Sequence, residues 1–209
     1  MKKIIVLLFA VVFSLGGCAS QQTSSCHSND CVSEFTIPTS KSDKDTIALK
    51  GAWTKKESFE DGMKILTFKP TNERDGVFLV TPYYADSNTI KARKAKTQKM
   101  WDLMYKKDIS NRKLLLLTIE LGMNYAGESL LGNSVENKLD LKALPNKDGY
   151  YYSLTDKNPN AGKEAGDWKY MTQGEKLLDN GGIIFFTILH NNGGEYVKKA
   201  TLDSLNKLK

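Results

Sequence analysis

Short stretches in which apolar and polar residues alternate occupy positions 53–84, and Asp-Gly pairs separate them. Asp-Gly readily adopts the positive φ angles that tight hairpin turns require. The pattern predicts a meander of three antiparallel strands. The predicted strands are Trp53–Phe59, Met63–Lys69 and Val77–Tyr84, with Trp53, Ile65, Phe68, Val77 and Leu79 in the core.

The middle of the chain has helical spacing instead. Asp86 and Ser87 offer capping oxygens before a polar stretch at 88–107, whose apolar positions are spaced seven, four and three residues apart. A second helix is predicted from Ser110 to about Leu130. It carries two neighbouring apolar stripes, which indicates a broad buried face. The stripes are Leu114, Leu117, Leu121 and Tyr125 on one side, and Leu115, Ile119 and Met123 on the other.

The last third of the chain returns to strands and ends in a helix. The run Ile183–Leu189 is apolar without alternation, so it is expected in the middle of the sheet with both faces covered. The pattern as a whole predicts an α+β fold, an antiparallel sheet packed by helices, forming a single domain at 34–209. The remaining predicted elements are strands at Val135–Leu144, Tyr150–Thr155 and Trp168–Leu178 and a helix at Glu195–Leu208.

The chain begins with a short positive leader, and an apolar run follows from Ile4 to Leu15. This run is shorter than the ~20 residues that span a bilayer, and it suits a signal peptide. The four residues Leu15-Gly16-Gly17-Cys18 resemble the lipobox of bacterial lipoproteins. The resemblance implies that residues 1–17 are removed and that Cys18 is lipidated. An ordinary secretory signal or an uncleaved anchor with a chance cysteine is the alternative.

Lipidation places the protein at a membrane surface, since two or three acyl chains hold a protein there stably. Ala19 and Ser20 follow the lipid-bearing cysteine, where an aspartate would favour the inner membrane. By resemblance to enterobacterial sorting, the expected location is the outer membrane, facing the periplasm. Residues 18–33 form the predicted tether between anchor and domain.

Two further cysteines, Cys26 and Cys31, lie in this tether. An exported protein permits disulfides, so a Cys26–Cys31 bond that closes a short loop is the expected arrangement. The alternative is a metal site with Cys26, His27, Asp30 and Cys31 as ligands. Structural zinc sites prefer closer cysteine spacing, so no metal is assigned.

The carboxy-terminal half also carries a resemblance. The segments 149–156, 170–174 and 186–189, followed by a terminal helix, resemble a group of uncharacterised bacterial exported proteins. The order of elements is similar to the α/β/α sandwich of PsbP and Mog-type proteins. The resemblance implies a fold that serves binding and assembly, and it transfers no catalytic residue and no cofactor.

Nine lysines and arginines against two aspartates make positions 91–113 strongly basic. Lys96, Lys99 and Lys107 spread around a predicted helix, and such a surface suits an anionic lipid, an anionic envelope polymer or an acidic envelope protein. A solvated face that keeps the protein soluble is the alternative. No nucleic-acid-binding motif is present, so nucleic acid is not an expected partner.

Polar residues at the strand ends form the last candidate site. Thr155, Asp156, Thr172 and Gln173 meet at one edge if strands 150–155 and 168–178 pair antiparallel, and they then bind a ligand or satisfy strand-end hydrogen bonds. The chain has no Gly-x-Ser-x-Gly or HExxH motif, and no catalytic residue is assigned. We therefore expect a non-catalytic binding or assembly module without a deep pocket that contains convergent titratable groups, and such a pocket around His190 would favour an enzyme instead. The alternatives are a small-ligand-binding protein or a hydrolytic enzyme with a pocket near His190 and Asp156, or a metal sensor built on Cys26–Cys31.

Overall fold

The computed structural model describes residues 21–23, 31–39, 43–60, 63–83 and 112–209. Its body is an eight-stranded antiparallel sheet in the order β1-β4-β5-β6-β10-β9-β8-β7, and a separate hairpin is formed by β2 and β3. The strands are β1 (Gln21–Thr23), β2 (Val32–Pro38), β3 (Lys44–Lys50), β4 (Trp53–Glu60), β5 (Met63–Pro70), β6 (Gly76–Tyr83), β7 (Lys142–Ala143), β8 (Gly149–Thr155), β9 (Tyr170–Leu177) and β10 (Ile183–His190). The helices of the described residues are α1 (Arg112–Glu128) and α2 (Glu195–Leu205), with a short 3-10 turn at Leu131–Asn133. The predicted α+β class with an antiparallel sheet is confirmed.

One side of the sheet, which we call the α2 face, is covered by α2 together with the β2–β3 hairpin. The hairpin was not predicted, yet burial alternates along β2, with Phe35 and Ile37 buried and Glu34 and Thr36 exposed. Its partner strand contributes Ile47 and Leu49 to the same core. The α2 face therefore holds the larger of the two hydrophobic clusters.

The opposite side, the α1 face, is covered by α1. Ile119 and Met123 are buried against β8 and β9, as their predicted stripe requires. The prediction for the stripe that begins at Leu114 is wrong, since Leu117, Leu121 and Tyr125 are exposed. A helix on one sheet face can bury only one side, and the two stripes lie on different sides of α1.

Strand β10 lies between β6 and β9, with three further strands beyond β6 and two beyond β9. Ile184, Phe186 and Ile188 are buried on the α2 face, and Ile183 is buried on the α1 face. The prediction of a central strand covered on both sides is confirmed. Gly174 of β9 makes room for it, because a Cβ there would lie 2.3 Å from Cζ of Phe186.

The predicted meander is confirmed, since β4, β5 and β6 are consecutive antiparallel neighbours. The predicted strand Val135–Leu144 is wrong, and only Lys142–Ala143 forms strand there. The preceding residues are tied to the end of β8 by single contacts, such as Val135 N to the Thr155 carbonyl at 2.8 Å. Such contacts hold a segment in place without forming a ladder.

Several predicted features lie outside the described residues. They are the signal peptide at 1–17, the lipidated Cys18, the tether cysteine Cys26 and the basic helix with Lys96, Lys99 and Lys107. Cys31 is among the described residues. The bond from Cys31 to Cys26 in particular stays a prediction.

Candidate functional site

A cavity of about 330 Å³ lies where α2 crosses the ends of β8, β9 and β10. We call it the His190 pocket. Two rows of paired residues form its floor on the α2 face: Ser153 beside Thr172, and Thr155 beside Tyr170 beside His190. Glu195 and Lys198 of α2 form the wall above them. The volume is at the lower end of the ~300–1,000 Å³ range typical of small-molecule sites.

A chain of polar contacts runs along one side of the pocket. Nζ of Lys198 donates a hydrogen bond to Oγ of Ser153 at 2.8 Å. That oxygen also lies 2.8 Å from Oγ1 of Thr172, on the neighbouring strand. The antiparallel register places the two hydroxyls directly opposite each other, so the sheet itself fixes the platform that meets the lysine.

Lys198 is half-buried, and among the described residues no carboxylate lies within ion-pair distance of it. Burial lowers the pKa of its ammonium group, and the positive charge of Lys142 lowers it further. An ammonium has three N–H donors, and in the part of the chain that the structure describes only Ser153 accepts from this one. The pocket therefore holds a cation with unused donors.

His190 forms the other side of the pocket and is only 5% exposed. Its ring stacks on the Tyr170 ring, with centroids 4.9 Å apart and planes 23° from parallel. Burial lowers the pKa of His190 and outweighs the opposing effects of the Asn191 backbone and of Glu195. Nδ1 lies 3.2 Å from the Asn191 carbonyl oxygen, which can only accept, so Nδ1 carries the proton and Nε2 is an acceptor in the neutral ring.

Gly76 explains how His190 and α2 approach each other so closely. It pairs with His190 across β6 and β10. A Cβ at this position would lie 2.6 Å from the Leu189 carbonyl oxygen and 3.2 Å from Cβ of His190. Any side chain here would push the histidine or the helix away from the pocket.

Thr155, at the rim, is held by Glu136. The carboxylate accepts from the Thr155 backbone N–H and from its hydroxyl, both at 2.8 Å. Burial acts to raise the pKa of Glu136, but these hydrogen bonds outweigh it, and the pKa is lowered. Glu136 therefore stays ionised and fixes the end of β8 next to the pocket.

The structure divides the four polar residues that the sequence grouped together. The predicted antiparallel pairing of their strands is confirmed, and Thr155 and Thr172 line the His190 pocket, whereas Asp156 and Gln173 do not. Asp156 turns away and accepts from the Asn158 backbone N–H at 2.7 Å. Gln173 points to the α1 face, where its side-chain oxygen accepts from the Tyr152 hydroxyl. Adjacent positions on a strand face opposite sides, so Thr172 and Gln173 cannot share a site.

Titratable groups do meet in one cavity of the described residues, because His190, Glu195 and Lys198 line the His190 pocket. Sequence reasoning did not assign Ser153, Lys198 or Glu195 to it. The signal lay in the spacing of Glu195 and Lys198, which share one side of the terminal helix. Without the strand register, nothing in the sequence shows which strand residues face that side.

Within the described residues, no group of three or more His, Cys, Asp or Glu side chains is placed to hold a metal ion. None of the helices in those residues is long and apolar enough to cross a membrane. No protein family, curated protein or solved structure matches this chain.

Proposed function

We propose that this protein is a lipid-anchored module of the bacterial cell envelope that binds a small polar ligand in the His190 pocket. The observation that carries the proposal is the position of Lys198: half-buried, without a carboxylate partner among the described residues, and beside the hydroxyls of Ser153 and Thr172. Because the ammonium is half-buried, donors left without acceptors carry a modest cost. A ligand that accepts hydrogen bonds from Lys198 lowers that cost, so this lysine favours ligand binding.

Fragment screening by NMR tests the pocket directly. Polar fragments are expected to shift the amide signals of β8, β9 and α2. Ser153→Ala should weaken the best fragment about two- to tenfold, as expected for one hydrogen bond. Thr187→Val is the matched control, because Thr187 is a half-buried hydroxyl residue of the same sheet that faces α1. Fragments that shift no amide around the pocket would contradict the proposal.

The anchor is the second part of the proposal. The lipobox ending at Cys18 supports acylation there, and Ala19 and Ser20 favour the outer membrane, facing the periplasm. Cells grown with a labelled fatty acid should incorporate label into the protein and lose it in Cys18→Ser. Equal labelling of the variant, or its fractionation with the same membrane, would contradict a lipid anchor at Cys18.

The domain is further proposed to be a PsbP/Mog-like sandwich, which α1 and α2 on opposite faces of one sheet support. The basic segment with Lys96, Lys99 and Lys107 is proposed to contact an anionic envelope polymer or an acidic envelope protein. Changing the three lysines to glutamate should weaken envelope association of the Cys18→Ser protein, most clearly at low salt. Unchanged association at low salt would argue for a merely solvated surface.

The Ser153–Lys198 distance of 2.8 Å favours one other candidate, a hydrolase. In it Ser153 is the nucleophile and neutral Lys198 the base that takes its proton. A fluorophosphonate then forms a P–O bond to Ser153, with loss of fluoride. Mass spectrometry should find the adduct on Ser153 in the native protein and not in Lys198→Met. An unlabelled Ser153 excludes this candidate and leaves the binding function.

A further inference from the structure

Two residues of opposite charge on α2 face the His190 pocket without pairing with each other. Glu195 and Lys198 are three residues apart, a spacing at which helical side chains commonly form an ion pair. Lys198 instead reaches Ser153. Among the described residues, neither Glu195 nor Lys198 takes part in a salt bridge.

The Lys198 end of the pocket favours an anion. Two of the N–H donors of this ammonium have no acceptor among the described residues. Lys142, which forms an ion pair with Asp140 at 3.2 Å, is close enough to affect Lys198. Two hydroxyls, of Ser153 and Thr172, lie beside the lysine and can also donate. This combination suits a carboxylate, which accepts several hydrogen bonds at once.

The His190 end favours a donor with positive charge. The carboxylate of Glu195 stands at the rim and acts to raise the pKa of His190, while the ammonium of Lys198 also reaches the histidine and acts to lower it. The neutral imidazole offers Nε2 as an acceptor, because Nδ1 already donates to the Asn191 carbonyl. The face of the Tyr170–His190 stack adds an electron-rich surface. These groups can accept from an ammonium but have little to offer an anion.

We infer that the ligand of the His190 pocket is a zwitterion, a free amino acid or a molecule with the same pair of groups. Its carboxylate lies against Lys198, Ser153 and Thr172, and its ammonium lies between Glu195 and His190. This inference rests on the proposed ligand-binding function and narrows it to one chemical class. It also explains why α2 presents both charges to the pocket: the ligand completes two ion pairs that the helix does not close by itself.

Calorimetry on the full-length chain, purified in detergent, tests the inference with the standard amino acids in both enantiomers. The tightest binder is then compared with two analogues, one lacking the ammonium and one lacking the carboxylate. Each analogue should bind at least about tenfold more weakly, the loss expected for one well-formed charged contact. Lys198→Met should weaken the intact amino acid by a similar factor. Glu195→Gln should weaken the amino acid and leave the analogue without an ammonium unaffected.

Lys199→Met is the matched control, because Lys199 is the next residue of α2, 79% exposed and paired with Asp203. It should bind like the native protein. The inference is overturned if no amino acid binds, if either analogue binds as tightly as the intact molecule, or if Lys198→Met and Glu195→Gln bind normally. Fragments that still shift the pocket amides in those cases leave the proposed function standing. A pocket that binds neither fragments nor amino acids overturns both.

Discussion

Two lysines lie on the α2 side of the sheet in opposite circumstances. Lys176 of β9 is fully buried, its side chain 1% exposed, and it forms an ion pair with Asp148 in the turn before β8. Lys198 is half-buried and has only a serine hydroxyl as a described partner. The charge of Lys176 is paired inside the protein, whereas the ammonium of Lys198 lines a cavity.

The difference separates a structural charge from a candidate functional one. Removing one partner of a buried ion pair leaves an uncompensated charge, so Lys176 and Asp148 depend on each other for folding. A half-buried charge whose pKa is shifted by burial, located in a cleft, is a common property of binding and catalytic sites. Stability measurements should therefore distinguish the buried Lys176–Asp148 pair from the His190 pocket.

The largest effect is expected for Asp148→Asn. Asparagine keeps the shape of the side chain but removes the charge that compensates Lys176. The free energy of unfolding should fall by about 3–5 kcal/mol, as for other broken buried pairs. Chemical denaturation followed by tryptophan fluorescence measures it.

The double variant Asp148→Asn with Lys176→Met provides the control for this prediction. Methionine removes the uncompensated ammonium, so the double variant should regain most of the lost stability. A double variant as unstable as Asp148→Asn alone would mean that the turn, rather than the charge, needs the aspartate. Among the described residues, Oδ1 of Asp148 is buried without a hydrogen-bond partner, and Oδ2 forms the contact with Lys176.

Glu136→Ala, at the rim of the His190 pocket, should have the next largest effect on the free energy of unfolding. It removes both hydrogen bonds that hold Thr155, and bonds to a charged acceptor contribute about 1.5–3 kcal/mol. Because the pKa of Glu136 is lowered in the folded protein, this stability is present above about pH 4.5 and is lost as the pH falls through the folded pKa. Denaturation curves of both proteins should therefore converge in acid. Glu164→Ala, at an exposed loop position, should show no such difference at any pH.

The sequence predicted the hydrophobic core better than it predicted the His190 pocket. Residues buried by simple alternation or by an apolar run, such as Phe68 and Ile188, could be assigned to the core because their surroundings are set by local period. The exposed stripe with Leu121 could not, since α1 is apolar on more sides than one sheet face can cover. The pocket depends on which strands are neighbours and in which register. Ser153 meets Thr172 and Lys198 only through pairings across 19 and 45 residues of sequence.

His190 should make the free energy of unfolding depend on pH. Burial lowers its pKa in the folded protein, so the unfolded chain takes up a proton near pH 6.5 while the folded protein resists it. The free energy of unfolding should fall as the pH drops below about 6.5, and this slope should be smaller in His190→Gln. The other histidine, His27, is present in both proteins and cancels in the comparison. Identical slopes would show that His190 titrates as it does in the unfolded chain.

The smallest effect on stability is expected for Lys198→Met, although this variant should lose the most binding. Its ammonium is disfavoured by burial, so methionine should change the free energy of unfolding at pH 7 by no more than about 0.5 kcal/mol, and in the stabilising direction. The native protein should gain stability as the pH rises through the lowered pKa towards 10.5, and Lys198→Met should lack that rise. A loss as large as that of Asp148→Asn would make Lys198 a second structural charge and end the distinction. An unchanged stability with lost ligand affinity is a combination that a purely structural lysine cannot produce.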